Sequence, residues 1–109
     1  MAISESEFEV RADEILEHLM ETLEKTLGDE LDVDLGDGIL SIELDSGGQY
    51  VINKHRPNRQ IWMSSPASGA SHFEYRADSG WVATRGAGNL GEILARELSA
   101  ATGRSVQFE

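Results

Sequence analysis

The chain has 109 residues, a formal net charge of −11 at pH 7 and no cysteine. This length fits a single domain spanning residues 1–109, because two ordinary hydrophobic cores need more chain. The negative charge argues against binding to nucleic acid or anionic membranes, which needs clustered lysine and arginine, and the lack of thiols excludes disulfides and cysteine-ligated metal sites.

The first predicted element is an amphipathic helix over residues 6–27. Its apolar positions recur at spacings of three and four, which is the period of a helix with one buried face. They are Phe8, Ala12, Ile15, Leu19, Leu23 and Leu27, with Leu16 beside them. The side chain of Ser4 or Ser6 is expected to cap the start of this helix, and Gly28 is expected to end it.

After Gly28 the apolar residues alternate with polar ones, which predicts strands with one buried face. About six strands are expected in succession, separated by turn signals such as Asp37-Gly38. They cover residues 31–35, 39–44, 50–53, 60–64, 72–76 and 81–84. A second amphipathic helix is expected over residues 90–101, closed by Gly103, and residues 105–108 are expected to form a last short strand.

This order of elements predicts an α+β fold. Consecutive strands joined by tight turns pair antiparallel, so the strands are expected to form one antiparallel sheet. The two amphipathic helices bracket the sheet in sequence and are expected to pack side by side on one of its faces, which gives a two-layer sandwich. The other face of the sheet would then be open to solvent or to a partner.

All of the net charge belongs to residues 1–37, which hold thirteen acidic and two basic residues. Four acids of the first helix are spaced by four, four and three residues, so they form one row off the apolar stripe. The next predicted strand and the connection to it add four more acids. These eight residues define an acidic ridge: Asp13, Glu17, Glu21, Glu24, Asp29, Glu30, Asp32 and Asp34.

The acidic ridge is a candidate site for hard cations, since carboxylate oxygens suit iron, calcium, magnesium and manganese. It lacks the spacing of an EF-hand loop and the Glu-x-x-His pairs of a di-iron site. Weak, multiple and exposed binding is therefore expected. A solvated acidic face that only keeps the protein soluble is the alternative interpretation.

The most distinctive stretch of the chain is YVINKHRPNRQIWMSSP at residues 50–66. It is followed by Ser68-Gly69 and by an aromatic residue and an acid at Phe73-Glu74. Together with the acidic first helix, this pattern resembles the frataxin family, which includes the bacterial CyaY-type proteins. The resemblance covers essentially the whole chain. It implies two parallel helices packed on one face of an antiparallel sheet, in agreement with the predicted fold class.

The resemblance also implies a function. It implies weak binding of ferrous or ferric iron along the acidic ridge, and a role in iron–sulfur cluster assembly and its regulation through contact with a cysteine desulfurase and its scaffold protein. The partner-facing surface of the sheet carries over to Asn53, Gln60, Trp62 and His72. His72 stands where many mitochondrial relatives have arginine. An outward Trp beside amide side chains is typical of a protein-binding hot spot.

Two alternatives stay open. The resemblance also allows ferroxidase or iron-storage activity, for which no catalytic residue is assigned. In the other alternative, the acids only dock a basic protein surface, and metal binding is incidental. His18 and His55 are expected to have no special role, and Trp81 is expected to belong to the core. We expect a monomer, or an oligomer in the presence of iron.

The expected location is the bacterial cytoplasm, or the mitochondrial matrix if a presequence has been removed. The first ten residues have no basic region followed by an apolar one, so they do not resemble a secretory signal. No apolar run approaches the ~20 residues that cross a bilayer.

Overall fold

The computed structural model describes residues 3–86 and 88–108, so both ends of the predicted domain lie outside the described residues. The first helix, α1 (Glu5–Leu27), begins after Ser4, whose hydroxyl accepts a hydrogen bond from the backbone N–H of Glu7 at 3.1 Å. Ser4 is therefore the cap of the helix. Gly28 ends α1 in a right-handed conformation, so the helix stops there without the left-handed turn that glycine often supplies.

Within the described residues, six strands follow α1, and each pairs antiparallel with the next. They are β1 (Leu31–Gly36), β2 (Ile39–Leu44), β3 (Gln49–His55), β4 (Gln60–Ser65), β5 (Gly69–Arg76) and β6 (Gly80–Ala83). A short 3₁₀ helix (Arg56–Asn58) joins β3 to β4, and α2 (Leu90–Thr102) comes last. No helix in these ranges is long and apolar enough to cross a bilayer.

The turn between β1 and β2 shows why the predicted sheet is correct. Asp37 and Gly38 have φ values of 54° and 74°. A two-residue type I′ hairpin needs a positive φ at both central residues, and Asp-Gly is one of the few pairs that supply it cheaply. The turn therefore fixes the register that pairs Gly36 with Ile39, and the strands follow from it.

The core lies between the sheet and the two helices, as the predicted sandwich requires. The helices contribute Phe8, Ala12, Leu16, Leu19, Leu23 and Leu27 from α1 and Leu90, Leu94 and Leu98 from α2. Alternate residues of the strands are buried against them, among them Leu40, Ile42, Ile52, Ile61, Met63 and Phe73. Trp81 is 5% exposed and packs edge-to-face on Phe8 with ring centroids 6.0 Å apart, which confirms its place in the core.

A polar contact also holds α2 against the sheet. The Tyr50 hydroxyl donates to Oε1 of Glu97 at 2.7 Å, and the Ser65 hydroxyl donates to the same oxygen at 2.6 Å. Burial, and after it the hydrogen bond with Glu97, raises the pKa of Tyr50 to about 12. Burial alone would raise the pKa of Glu97, but the hydrogen bonds that it accepts, first from Ser65, lower this pKa.

The chain after α2 differs from the prediction, because residues 105–108 form no strand. The backbone N–H of Val106 donates instead to the Ser99 hydroxyl of α2 at 3.2 Å, and the Val106 side chain is buried. The outer edge of β6 is already occupied, since the N–H of Ala83 donates to the carbonyl of Gly88 at 3.0 Å. A last strand therefore finds no free edge there.

Candidate functional site

The acidic row of α1 is exposed along the whole helix, because the apolar stripe of α1 faces the sheet. Its members are Asp13, Glu17, Glu21 and Glu24. The last three form no ion pair with any described residue. Like charges at these spacings repel by about 0.2–0.5 kcal/mol per pair, and a bound cation would relieve this repulsion.

Asp13 differs from the rest of the row because it has a counter-ion. The ammonium group of Lys54, on β3, donates to Oδ1 of Asp13 and to Oε1 of Glu9, both at 2.8 Å. The Lys54 side chain is only 7% exposed, and Arg56 Nε donates to Glu9 at 2.6 Å. The hydrogen bonds from Lys54 and then from Arg56 lower the pKa of Glu9. Burial would lower the pKa of Lys54, but the bonds to Asp13 and Glu9 outweigh it and raise this pKa.

The acids of β1 lie on the other face of the sheet. The apolar residues of β1 pack toward the core, so Asp32 and Asp34 lie on the open face by alternation. Asp29 and Glu30 lie in the connection between α1 and β1, where a carboxylate oxygen of Glu30 is 3.9 Å from Arg104 Nη1. The acidic ridge therefore wraps around the β1 edge of the sheet, with helix acids on one side of the edge and strand acids on the other.

The ridge offers carboxylates without a preformed cage. Within residues 3–86 and 88–108, no three histidine, aspartate or glutamate side chains converge closely enough to hold one ion. A small hollow of about 190 Å³ between α1 and the β1–β2 turn is bordered by Asp13, Glu17 and Asp37. Hard cations such as Mg²⁺ are often held by one or two carboxylates, with water completing the shell. This arrangement can therefore bind hard cations at several exposed positions.

The open face of the sheet brings the predicted partner residues together. Asn53, Trp62 and His72 lie in register on β3, β4 and β5, and Ile39 extends the row onto β2. Gln60 lies two residues before Trp62 on the same face, while Ile61 and Met63 are buried on the core side. Ile39 is 43% exposed, so an apolar patch adjoins the amide and aromatic side chains.

Trp62 is held on three sides. The His55 ring stacks on one face of the indole at a centroid distance of 3.6 Å and 7°, and the His72 ring stacks on the indole at 4.2 Å and 15°. The indole N–H donates to Oε1 of Gln60 at 2.8 Å. His55, for which no role was expected, is thus a packing partner of the candidate hot-spot residue.

Lys54 and His55 were missed as site residues, although both lie in the distinctive stretch at residues 50–66. Alternation along β3 places Lys54 on the core side, which is a signal that a buried cation needs an acidic partner. Another hollow, of about 450 Å³, lies between α1, the β5–β6 turn and the start of α2, and none of the predicted site residues borders it. His18 borders this hollow, and its buried Nε2 has no hydrogen-bond partner among the described residues.

The fold and these surfaces define a two-layer sandwich with an acidic edge and an aromatic, amide-rich sheet face. A family model described as a frataxin-like domain matches residues 1–104. The chain belongs to the frataxin family, as its sequence pattern predicted, and its two helices on a six-stranded antiparallel sheet are the frataxin fold.

Similar proteins occur in bacteria and eukaryotes. The chain is 38% identical over 104 residues to the iron-sulfur cluster assembly protein CyaY of Thioalkalivibrio sulfidiphilus, covering 93% of this chain and 95% of that protein. It is 40% identical over 112 residues to the mitochondrial frataxin of Arabidopsis thaliana, covering 97% of this chain but only 59% of that protein. Trimeric yeast frataxin, solved in complex with ferrous iron, is similar with a TM-score of 0.74 at 38% identity, covering 86% of this chain and 87% of that one.

Proposed function

We propose that this protein takes part in iron–sulfur cluster assembly, binding iron weakly on the acidic ridge and docking through the Trp62 face. The proposed partners are a cysteine desulfurase and the scaffold protein on which the cluster forms. The observation that carries the proposal is the set of ridge carboxylates that lack a counter-ion among the described residues: Glu17, Glu21, Glu24, Asp29, Asp32 and Asp34.

Iron fits this set of ligands for a chemical reason. Exposed carboxylates suit hard cations, and without a closed shell the ion stays weakly held and transferable. The relatives support iron as the cation, since one is named a cluster assembly protein and another was solved with ferrous iron. We infer that the ridge presents iron, or senses it, instead of storing it in a cage.

The sheet face supports the docking part of the proposal. Trp62 and its neighbours combine an amphipathic ring, amide groups and the exposed Ile39 in one patch, which is the composition of an interface hot spot. The acids Asp32 and Asp34 lie on the same face, nearer its β1 edge. A basic partner surface would therefore meet charge at one end of the face and aromatic packing in the middle.

The test is the rate of cluster formation on a scaffold protein with cysteine desulfurase, cysteine and ferrous iron, measured with and without this protein. We expect a dose-dependent change in rate, and we expect Trp62→Ala and the pair Glu21→Gln with Glu24→Gln to abolish it. The matched control is Glu5→Gln with Asp78→Asn, which removes the same charge at exposed positions outside the ridge and should keep the effect. An unchanged rate at stoichiometric concentration would refute the proposal.

A second measurement separates iron binding from simple charge-steered docking. If the acids serve only to dock a basic surface, Glu21→Gln with Glu24→Gln will weaken partner binding even in metal-free buffer, and binding will fall steeply with added salt. If the acids act through iron, metal-free docking survives the substitutions, and the difference appears only when ferrous iron is added.

A further inference from the structure

The rings of His55 and His72 stack on Trp62 and limit which part of the indole a partner can contact. A planar group placed 3.6–4.2 Å from an aromatic ring fills the space that a second ring would need. Both imidazoles lie nearly parallel to the indole, and the indole N–H is committed to Gln60. A partner therefore cannot lay a ring or a proline on Trp62 without displacing a histidine, and it meets the edge of the indole instead.

We propose that His55 and His72 are positioning residues that clamp Trp62 with its edge outward, and that protonation of the exposed His72 strengthens partner docking. This inference rests on the proposed docking function of the sheet face. The clamp lowers the cost of binding, because a side chain already held in one rotamer loses little freedom when the partner arrives. Imidazole is the side chain whose charge ordinarily changes between about pH 5 and 8, and an imidazolium over an indole face gains a cation–π attraction.

The charges around the clamp indicate the chemistry of the segment that covers it. Arg76 lies on β5 beyond Glu74, and Arg85 borders the same hollow as His72. Arg56, which follows His55, is instead bonded to Glu9 on the helix side. Glu74 is the acid on this part of the face, and it is 3.5 Å from Arg76. Guanidinium groups and imidazole N–H groups are hydrogen-bond donors. The segment of the partner over Trp62 should therefore present carbonyl or carboxylate oxygens, and its docking should strengthen as the pH falls.

The clamp can be tested on the protein alone by the fluorescence of Trp62. Subtracting the emission of Trp62→Phe from that of the wild type isolates Trp62, since Trp81 is present in both. An imidazolium in contact with an excited indole quenches it, so we expect Trp62 emission to fall as the pH decreases from 8 to 5.5. The double variant His55→Gln, His72→Gln should abolish this fall. His18→Gln, which removes a histidine away from Trp62, should leave it intact.

Docking onto the scaffold and desulfurase complex is then measured for the same double variant and for His55→Phe with His72→Phe. The Gln pair should bind about threefold to tenfold more weakly, since Trp62 loses both stacking partners, keeps only its bond to Gln60 and gains side-chain freedom. The Phe pair keeps the stacking and should restore affinity while losing its pH dependence. Circular dichroism and the melting temperature show whether each variant is folded. If the Gln pair does not fold, the pH dependence of docking is compared between the Phe pair and the wild type.

Trp62 emission that ignores pH, or that responds equally in the Gln pair, would overturn the clamp. Equal affinity of the Gln pair and the wild type for the partner would also overturn it, while the proposed function stands. If the fluorescence behaves as expected but no docking occurs at all, the proposed function fails and the clamp remains a property of the free protein.

Discussion

Replacing Lys54 with methionine tests whether Asp13 is held by the fold or available to metal. Methionine keeps an apolar stem of similar length in the buried space that Lys54 fills beside the β1–β2 turn. It removes the ammonium group that donates to Asp13 and Glu9 at 2.8 Å. Glu9 keeps its bond from Arg56, so Asp13 is the acid that loses its counter-ion.

The expected loss of stability follows from the burial of the three charges. Exposed ion pairs contribute roughly 0–1 kcal/mol, and breaking a buried pair costs about 3–5 kcal/mol. The Lys54 side chain is 7% exposed, whereas Glu9 and Asp13 are 32% and 57% exposed. Since the substitution removes the buried cation and leaves carboxylates that reach water, no buried charge is left unpaired. We therefore expect a loss near the exposed-pair limit, about 1 kcal/mol, or a decrease in melting temperature of about 5 °C.

Thermal unfolding by circular dichroism, with and without Mn²⁺, measures both consequences. Lys54→Met should melt lower than the wild type, and added Mn²⁺ should raise its melting temperature by more, because Asp13 becomes free to bind the ion. Arg11→Met is the matched control, since Arg11 pairs with Glu7 and Glu14 on the exposed side of α1. It should cost less stability, and it should increase the Mn²⁺ response less than Lys54→Met does, because Glu7 and Glu14 lie outside the acidic ridge.

The pH dependence of the same variant has a defined sign. The pKa of Glu9 is lowered below its ordinary value of 4.5, first by Lys54. The stability from this interaction is therefore present above about pH 4.5 and is lost as the pH falls through the lowered pKa. The difference between the wild type and Lys54→Met should shrink in acid. Equal melting temperatures for Lys54→Met and Arg11→Met at pH 7, with equal Mn²⁺ responses, would refute the reasoning.

Two further predictions concern the ridge and the α2 contact. A triple variant with glutamine at Glu17, Glu21 and Glu24 should melt a few degrees higher at low salt, since each like-charged pair costs about 0.2–0.5 kcal/mol. Added NaCl or Mn²⁺ should then stabilise the variant less than the wild type. An unchanged salt response would show that repulsion along the ridge does not destabilise the fold. Tyr50 has a pKa raised from 10.0 to about 12 in the folded protein, so the unfolded chain ionises first and stability should fall as the pH rises from 10 to 12. Tyr50→Phe should be less stable at pH 7 but lack this alkaline loss in urea unfolding, and an identical alkaline slope would contradict the assignment.

Local patterns predicted most of the fold because each element is specified by neighbours in sequence. The helix period, the strand alternation and the Asp37-Gly38 turn are all read within a few residues. The last predicted strand failed for the opposite reason. Whether residues 105–108 join the sheet depends on a free edge, and the segment before α2 already bonds to β6, which no local pattern reveals.

The candidate site divides in the same way. The row of acids on α1 and the outward direction of Trp62 follow from periodicity alone. The partners of those groups do not, because Lys54 and Asp13 are 41 residues apart in sequence and meet only after β3 has paired with β2 beneath α1. The stacking of His55 on Trp62 likewise depends on the register between β3 and β4, so composition could identify the residues without their contacts.

The basic residues of the chain are distributed so that most acids of the ridge have no counter-ion. In the described chain, the ion pairs use five bases: Arg11, Lys54, Arg56, Arg76 and Arg104. Their partners are acids in the first half of α1, Glu30 and Glu74. None of these bases pairs with the exposed acids from Glu17 to Glu24 or with those of β1. Lys25 lies four residues after Glu21 on α1, yet it forms no ion pair with the row in the described chain. The row therefore keeps a local negative field, and a cation or a basic partner would relieve its repulsion.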